Sequence, residues 1–242
     1  AAGYESIMLG VFSVWHQPAN QEGRPKINDI NLGFSRDGFH WHRPDRRAFI
    51  PASRKPAAWD RGYVQSVGGV CLVMEDELWF YYTGFRGEDK ERRDRFGFYS
   101  TVYGNGSTGV ATLRRDGFAS MRAKGAEKTL LTRPVTFNGN HLFVNIDNPD
   151  GALYVEVCSE NGDVLDGFTK ADCLPIAADS TKLQVRWRGQ ASLARLAGKP
   201  VRFRFHLSQG DLYAFWLSPT PDGESGGYLA AGSPPAPNAR DT

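Results

Sequence analysis

Cysteine is scarce in this sequence, with three residues in 242, and no two of them form a CxxC pair. A small scaffold held together by disulfides and a zinc site built from cysteines are therefore both excluded. Cys158 and Cys173 could pair with each other, but their spacing does not decide this. His40 and His42 would share one strand face, yet no third ligand follows at a suitable spacing. We therefore predict no metal site and no cofactor.

Long apolar runs and an excess of either charge are also missing. No segment approaches the ~20 apolar residues that a membrane-spanning helix needs, and 29 Lys and Arg balance 27 Asp and Glu to a net charge of +2. We therefore expect neither a membrane nor a nucleic acid as partner. The N-terminal residues Ala1-Ala2-Gly3-Tyr4 contain neither a start methionine nor a signal-peptide core, so we expect a longer chain upstream.

The pattern that is present is that of short β-strands. Apolar or alternating runs recur and are closed by Gly, Asn, Asp and Pro, whereas no segment keeps a helical period over ~12 residues. In the clearest run, Val201, Phe203, Phe205 and Leu207 alternate with polar residues. We predict an all-β chain with strands over residues 7–15, 30–34, 67–74, 78–84, 95–102, 109–113, 142–146, 153–158, 183–187, 201–207 and 212–217.

One motif occurs twice. Residues 34–43 read FSRDGFHWHR and residues 113–122 read LRRDGFASMR, 79 residues apart. Asp-Gly between two strands indicates a hairpin turn, because glycine adopts a positive φ at little cost. Asp37 and Asp116 are therefore predicted to be structural, and repeated small antiparallel sheets indicate a β-propeller.

The composition changes near residue 125, where long loops give way to short strands with tight turns. About seven such strands in ~95 residues are typical of a β-sandwich. We expect propeller blades over residues 1–125, a β-sandwich over 126–219 and a Gly/Pro-rich tail over 220–242.

Several motifs together resemble glycoside hydrolase families 32 and 43, which are five-bladed propellers. These are INLGFSRDGFHWHRP (residues 30–44), WDRG (59–62), ELWFYYTG (77–84), GVATLRRDGF (109–118), LTRP (131–134), NGDVLDGF (161–168) and DLYAFW (211–216). The resemblance spans residues ~4 to ~230. It implies the last two to two and a half blades followed by the C-terminal sandwich seen in family 32, with no match to the family's nucleophile motif.

Hydrolysis of a glycosidic bond needs two carboxyl groups ~5–5.5 Å or ~6.5–9.5 Å apart. Glu5 and Asp29 each adjoin a strand that could face the propeller funnel, and they are our candidate catalytic residues. The alternatives are a solvated terminal residue for Glu5 and a turn-forming residue for Asp29. Asp60 could bind a sugar hydroxyl or order its own loop.

Aromatic rings matter because the C–H face of a sugar packs on a flat ring. Trp15 with His16, Trp41, Trp59, Trp79, Tyr81 and Tyr82 supply rings in the first part of the chain. Large aromatics are more often core residues. We predict that Trp15, His16, Trp59 and Asp60 bind substrate, because both tryptophans adjoin loops.

The sequence is compatible with two functions. The first is a glycosidase-like protein, with fructosyl or arabinosyl bonds as substrates; the second is a non-catalytic carbohydrate-binding or scaffolding module. A partial propeller would expose strand edges, which recruit partners. We therefore expect association with the missing blades or with further copies of the chain.

Overall fold

The computed structural model describes residues 1–16, 26–87, 100–234 and 239–242. Within these residues the chain is all-β, as predicted, with sixteen strands and two 3₁₀ turns, Ser100–Tyr103 and Ala194–Leu196. It divides into two compact units. Unit 1 comprises Ala1–Leu113 and Gly227–Asp241, and unit 2 comprises Arg114–Gly226 and Thr242.

Unit 1 is built on a single nine-stranded sheet. Its strands are β1 (Ala2–Glu5), β2 (Ile7–Trp15), β3 (Asn28–Ser35), β4 (Trp41–His42), β5 (Tyr63–Ser66), β6 (Leu72–Met74), β7 (Glu77–Phe85), β8 (Gly106–Arg114) and β16 (Tyr228–Leu229). The order is β16-β1-β2-β3-β5-β7-β6, with β4 beside β3 and β8 beside β7.

Two groups of strands make up this sheet. The first is antiparallel and runs β16-β1-β2-β3-β4; the second places β5 and β6 antiparallel to β7, with β8 also beside β7. They are joined by a short parallel contact, in which Asn28 of β3 is opposite Tyr63 of β5. The ends of β2 and β7 therefore meet the starts of β3 and β5 at one end of the sheet.

The predicted strands agree best where the alternation is long. The run over residues 7–15 is β2, and the run over 78–84 lies within β7. The run over 67–74 is strand only at Leu72–Met74, because a turn with positive φ at Gly69 and Val70 interrupts it. The run over 95–102 lies largely outside the described residues. Within the segment expected to be a tail, Tyr228–Leu229 pairs with β1, and Leu229 is buried.

The second copy of the repeated motif does not form the expected hairpin. In the first copy, the Asp37-Gly38 turn joins the paired strands β3 and β4. In the second copy, the chain leaves β8 and enters β9 (Met121–Ala123), which pairs with β15 (Gly210–Ser218). The backbones differ as well, since positive φ falls on Gly38 in one copy and on Asp116 in the other.

Unit 2 consists of two antiparallel sheets. One has the order β10 (Lys128–Leu131), β14 (Val201–Ser208), β12 (Ala152–Ser159); the other has the order β13 (Asp179–Gln184), β11 (His141–Asp147), β15, β9. Residues from both sheets form one apolar cluster, which includes Phe203 and Phe205 on one side and Leu142 and Val144 on the other. The predicted inward face of residues 201–207 is confirmed, and Trp187 is buried in the same cluster.

All three cysteines are buried free thiols. Sγ of Cys173 accepts the N–H of Val155 at 3.2 Å, so this thiol takes part in the hydrogen bonding of the core. Burial raises the pKa of Cys71 to about 12. Cys158 and Cys173 are therefore packing residues in unit 2 and not a disulfide pair.

Candidate functional site

Five of the six candidate residues lie at one end of the unit 1 sheet. Trp15 ends β2, His16 follows it, and Asp29 is the second residue of β3; Trp59 and Asp60 lie just before β5. The loop before β5 is held by an isolated β-bridge between Ser53 and Arg61. Ala52, the neighbour of Ser53, contacts Asp29, so the loop connects Trp59 and Asp60 with the start of β3. We call this region the site end of unit 1.

Asp29 and His16 form the best-defined contact at the site end. Oδ2 of Asp29 lies 2.5 Å from Nε2 of His16, and Oδ1 accepts the backbone N–H of Ala52 at 2.7 Å. Asp29 is 6% exposed, whereas the His16 side chain is 37% exposed. A buried carboxylate therefore orients an accessible imidazole, which is an arrangement suited to binding hydroxyl groups or to proton transfer. Asp29 lies within a strand and not in a turn.

Asn28, Asn31 and Arg43 are polar neighbours that the sequence analysis did not single out. Asn28 is opposite Trp15 and is 4% exposed, and its Oδ1 has no hydrogen-bond partner among the residues that the structure describes. Asn31 is 2% exposed and accepts a hydrogen bond from Arg43 at 2.6 Å. The sequence feature that could have indicated these residues is the polar run Asn28-Asp29, with Asn31, inside a buried strand. Buried polar groups need hydrogen-bond partners.

Trp59 lies on a glycine surface of the second group of strands. A Cβ at Gly84 would fall 2.5 Å from Cζ3 of Trp59, and one at Gly109 would fall 2.5 Å from its Cη2. The indole also packs against Tyr82, with ring centroids 5.4 Å apart. Only glycine at both positions leaves room for the ring, which keeps 38% of the residue exposed.

Asp60 lies beside the same glycine. A Cβ at Gly84 would fall 2.6 Å from the Cβ of Asp60, so Trp59 and Asp60 contact one point of β7. Burial raises the pKa of Tyr82, and the nearby Asp60 carboxylate raises it further. Asp60 is half-buried, close enough to the Tyr82 phenol to affect its ionisation.

Trp15 is the most exposed of these aromatic residues, at 47%. It ends β2 directly before His16, whose backbone N–H donates to the carbonyl of Ile27 at 2.9 Å. The backbone is therefore hydrogen-bonded to β3 before Trp15 and to Ile27 after it, which fixes the position from which the indole projects.

Glu5 lies far from the other candidates. It is the last residue of β1, directly before the turn into β2, with φ of +49°, and its carboxylate lies against the backbone of Gly227. Ile7 and Trp15, the two ends of β2, are eight residues apart, which is roughly 27 Å at ~3.4 Å per residue. Glu5 and Asp29 therefore do not form a carboxylate pair at catalytic spacing.

Asp37 has the structural role expected of it. Its Oδ1 accepts the backbone N–H groups of Phe39 at 2.9 Å and His40 at 2.8 Å, and its Oδ2 lies 2.7 Å from Nδ1 of His40. These hydrogen bonds, the one from the His40 backbone first, hold the pKa of Asp37 well below its usual range. His40 therefore orders the turn together with Asp37.

Comparison of the chain with models of protein families, with curated proteins and with solved structures found no match. In the part of the chain that the structure describes, no group of three or more His, Cys, Asp or Glu residues is placed to hold a metal ion. The described segments also contain no helix that is long and apolar enough to cross a membrane.

Proposed function

We propose that unit 1 binds glycans at its site end, and that the chain is a glycoside-hydrolase-like protein with propeller blades in unit 1 and a β-sandwich in unit 2. The observation that carries this proposal is the position of the exposed Trp59 indole at the same sheet end as the His16–Asp29 pair, with a second exposed indole, Trp15, at the end of β2. The motifs that resemble families 32 and 43 support it from the sequence.

The chemistry of the site end matches that of a sugar. A sugar ring has an apolar C–H face, which packs on a flat aromatic ring, and hydroxyl groups at its edge. Asp60 lies beside the Trp59 indole at Gly84, and His16 supplies a further hydrogen-bonding group at the same sheet end. The nearly balanced charge of the chain favours an uncharged ligand over a polyanion.

Hydrolysis is the second candidate function, and the placement of Asp60 favours it. Asp29 and Asp60 both lie at the site end, whereas Glu5 does not. In this proposal Asp29 and Asp60 supply the two carboxyl groups of an acid/base mechanism, and Asp29 also orients His16. Removing either carboxylate would then abolish turnover and leave much of the binding intact.

Calorimetric titration of the full chain with a panel of fructans and arabinans tests the proposal. We expect saturable binding that falls about tenfold in Trp59→Ala, from the loss of ~50 Å² of apolar contact. Tyr228→Ala is the matched control, because Tyr228 is 46% exposed and pairs with Glu5 at the opposite end of the sheet. Absence of binding to every member of the panel would contradict the proposal.

The same panel separates binding from catalysis. Release of reducing ends by the wild type, and its loss in both Asp29→Asn and Asp60→Asn, would establish hydrolysis. Binding without release would leave the non-catalytic module as the function of this chain.

A further inference from the structure

Trp41 forms a second aromatic surface, over the first group of strands. Gly10 of β2 and Gly33 of β3 are paired, and Cβ atoms there would fall 2.7 Å from Cζ3 and 3.8 Å from Cε3 of Trp41. The indole Nε1–H donates to the carbonyl of Gly38 at 3.0 Å. The ring is therefore held on the sheet with its polar atom satisfied, and 42% of the residue is exposed.

This arrangement repeats the one at Trp59. Each indole contacts glycines on two strands of its own group, Gly10 and Gly33 in one case and Gly84 and Gly109 in the other. Glycine inside a strand costs roughly 0.5–1 kcal/mol relative to alanine. At Trp41 only Gly10 is required, since a Cβ at Gly33 would make an ordinary contact with the ring, whereas at Trp59 both glycines are required.

Trp41 shares one sheet face with Asp29. Along β3, the alternation of side chains puts Asp29, Asn31 and Gly33 on that face, and the register with β2 runs without interruption from Met8 to Trp15. Gly33 and Asp29 are four residues apart, which is about 14 Å along the strand. The distance exceeds the width of a single sugar ring.

Phe12 and Arg43 fill the interval between Trp41 and Asp29. Phe12 is 40% exposed and lies opposite Asn31, and its ring is 3.4 Å from the position of a Gly33 Cβ. The Arg43 guanidinium lies 5.7 Å from the centroid of that ring and is fixed by Asn31. Phe12 and the donor-rich Arg43 guanidinium therefore lie between Trp41 and the site end on this face.

We propose that Trp41 and Phe12 form a further subsite, which binds an additional ring of a glycan chain whose first ring lies at the His16–Asp29 pair. The inference rests on the proposed function and names its substrate class, an oligosaccharide in preference to a monosaccharide. Trp41 stacks on the C–H face of the additional ring, and Arg43 donates to hydroxyl groups between the two rings. A charged or fully apolar ligand would match only part of this surface.

The test is a titration series over glycan length. The probe is the fructan or arabinan class that the wild type binds, taken from the monosaccharide to longer oligomers. We expect wild-type affinity to rise with length, and Trp41→Ala to lose about tenfold for the longer oligomers with less than about a twofold change for the monosaccharide. Gly10→Ala, which moves the Trp41 ring without removing it, should produce the same loss of affinity for the longer oligomers. Phe39→Ala is the control, because Phe39 is 88% exposed on the same hairpin and lies outside the surface.

The possible results separate this inference from the proposed function. A wild type that binds no glycan of any length overturns both. A wild type that binds, with a length dependence unchanged in Trp41→Ala and Gly10→Ala, overturns the subsite and leaves the site end intact. Light scattering is measured on the same samples. A dimer that becomes a monomer in Trp41→Ala, again with unchanged length dependence, would identify the face as a contact between copies and would also overturn the subsite.

Discussion

Nε2 of His16 lies 2.5 Å from Oδ2 of Asp29, and this hydrogen bond joins the residue after β2 to the second residue of β3. The same carboxylate accepts the N–H of Ala52 through its other oxygen. Asp29 therefore links the β2–β3 pair to the loop that leads to Trp59. Because Asp29 is buried, its role is to hold the site end together. Because His16 is exposed, it can contact a ligand.

Replacement of Asp29 tests its part in holding the site end. Asp29→Ala leaves the buried N–H of Ala52 without an acceptor, which should lower the free energy of unfolding by about 1–3 kcal/mol. Asp29→Asn keeps one carbonyl oxygen for that N–H and should cost less. Urea unfolding of both variants measures the difference, with His16→Ala as the exposed-partner control. Equal stability of the alanine and asparagine variants would contradict this role.

Gly109→Ala tests the glycine surface under Trp59 without removing the indole. The nearest atoms to a Cβ at position 109 would be side-chain atoms of Trp59, at 2.5 Å, and of Tyr82, at 3.3 Å. The exposed indole can tilt away, so we expect lower glycan affinity in calorimetry with a fold that melts cooperatively. Gly125→Ala is a comparison from unit 2, because no atom lies within 4 Å of a Cβ there, although its φ of +71° adds strain. Unchanged affinity in Gly109→Ala would show that the ring position does not matter.

Asp37→Ala should reduce stability and leave glycan affinity unchanged. The pKa of this carboxyl is lower in the folded protein than in the unfolded chain, because backbone and side-chain hydrogen bonds from His40 favour the charged form. The stabilisation is therefore fully present above pH ~4 and is lost as pH falls further. The difference between the melting temperatures of wild type and variant should be largest at pH 7 and should shrink progressively as pH falls below 4. A loss of affinity at equal melting temperature would place Asp37 in the site instead.

Glu156 makes a comparable prediction for unit 2. Burial raises the pKa of its carboxyl, but hydrogen bonds from His206 and Arg204, each 3.0 Å, outweigh burial and lower it overall. Glu156→Gln should cost about 1–3 kcal/mol at pH 7, because it weakens both hydrogen bonds in a site where Glu156 is 9% exposed. Since the folded pKa is the lower one, this difference should shrink as pH falls below ~4.

Glu127→Gln is the control for that experiment. Glu127 pairs with Lys170 at 2.7 Å, but its side chain is 39% exposed, so its loss should cost at most about 1 kcal/mol. Urea unfolding between pH 3 and pH 7 measures both variants. A Glu156→Gln effect that stays constant over that range would contradict the role of its charge.

Local alternation predicted the strands well, because it depends only on neighbouring residues. Strand β2 and the inward face of residues 201–207 follow directly from it. Contacts between residues that are far apart in the sequence could not be predicted from local alternation. The two RDGF copies look alike, yet only the first closes a hairpin, since the strand that follows the second pairs with β15 about 90 residues later.

In the candidate site, too, the local features could be predicted from the sequence and the contacts between strands could not. Trp15, His16 and Asp29 adjoin strand ends, and such positions can be read from the sequence. Glu5 was grouped with them because it also adjoins a strand, but it adjoins the opposite end. The two glycines under the Trp41 ring could not be predicted from the sequence. Their contact with the ring depends on the strand register that places Gly10 opposite Gly33. Register is a property of two strands together.

The indole resonances of the six tryptophans, followed by ¹H–¹⁵N spectroscopy during titration with the glycan that binds, test glycan binding at the site end most directly. Single Trp→Phe variants assign the signals. We predict saturable shifts at Trp15 and Trp59, with Trp187 and Trp216 of unit 2 unchanged. Shifts confined to Trp187 and Trp216, or no shift at any indole with fructans and arabinans, would contradict the account.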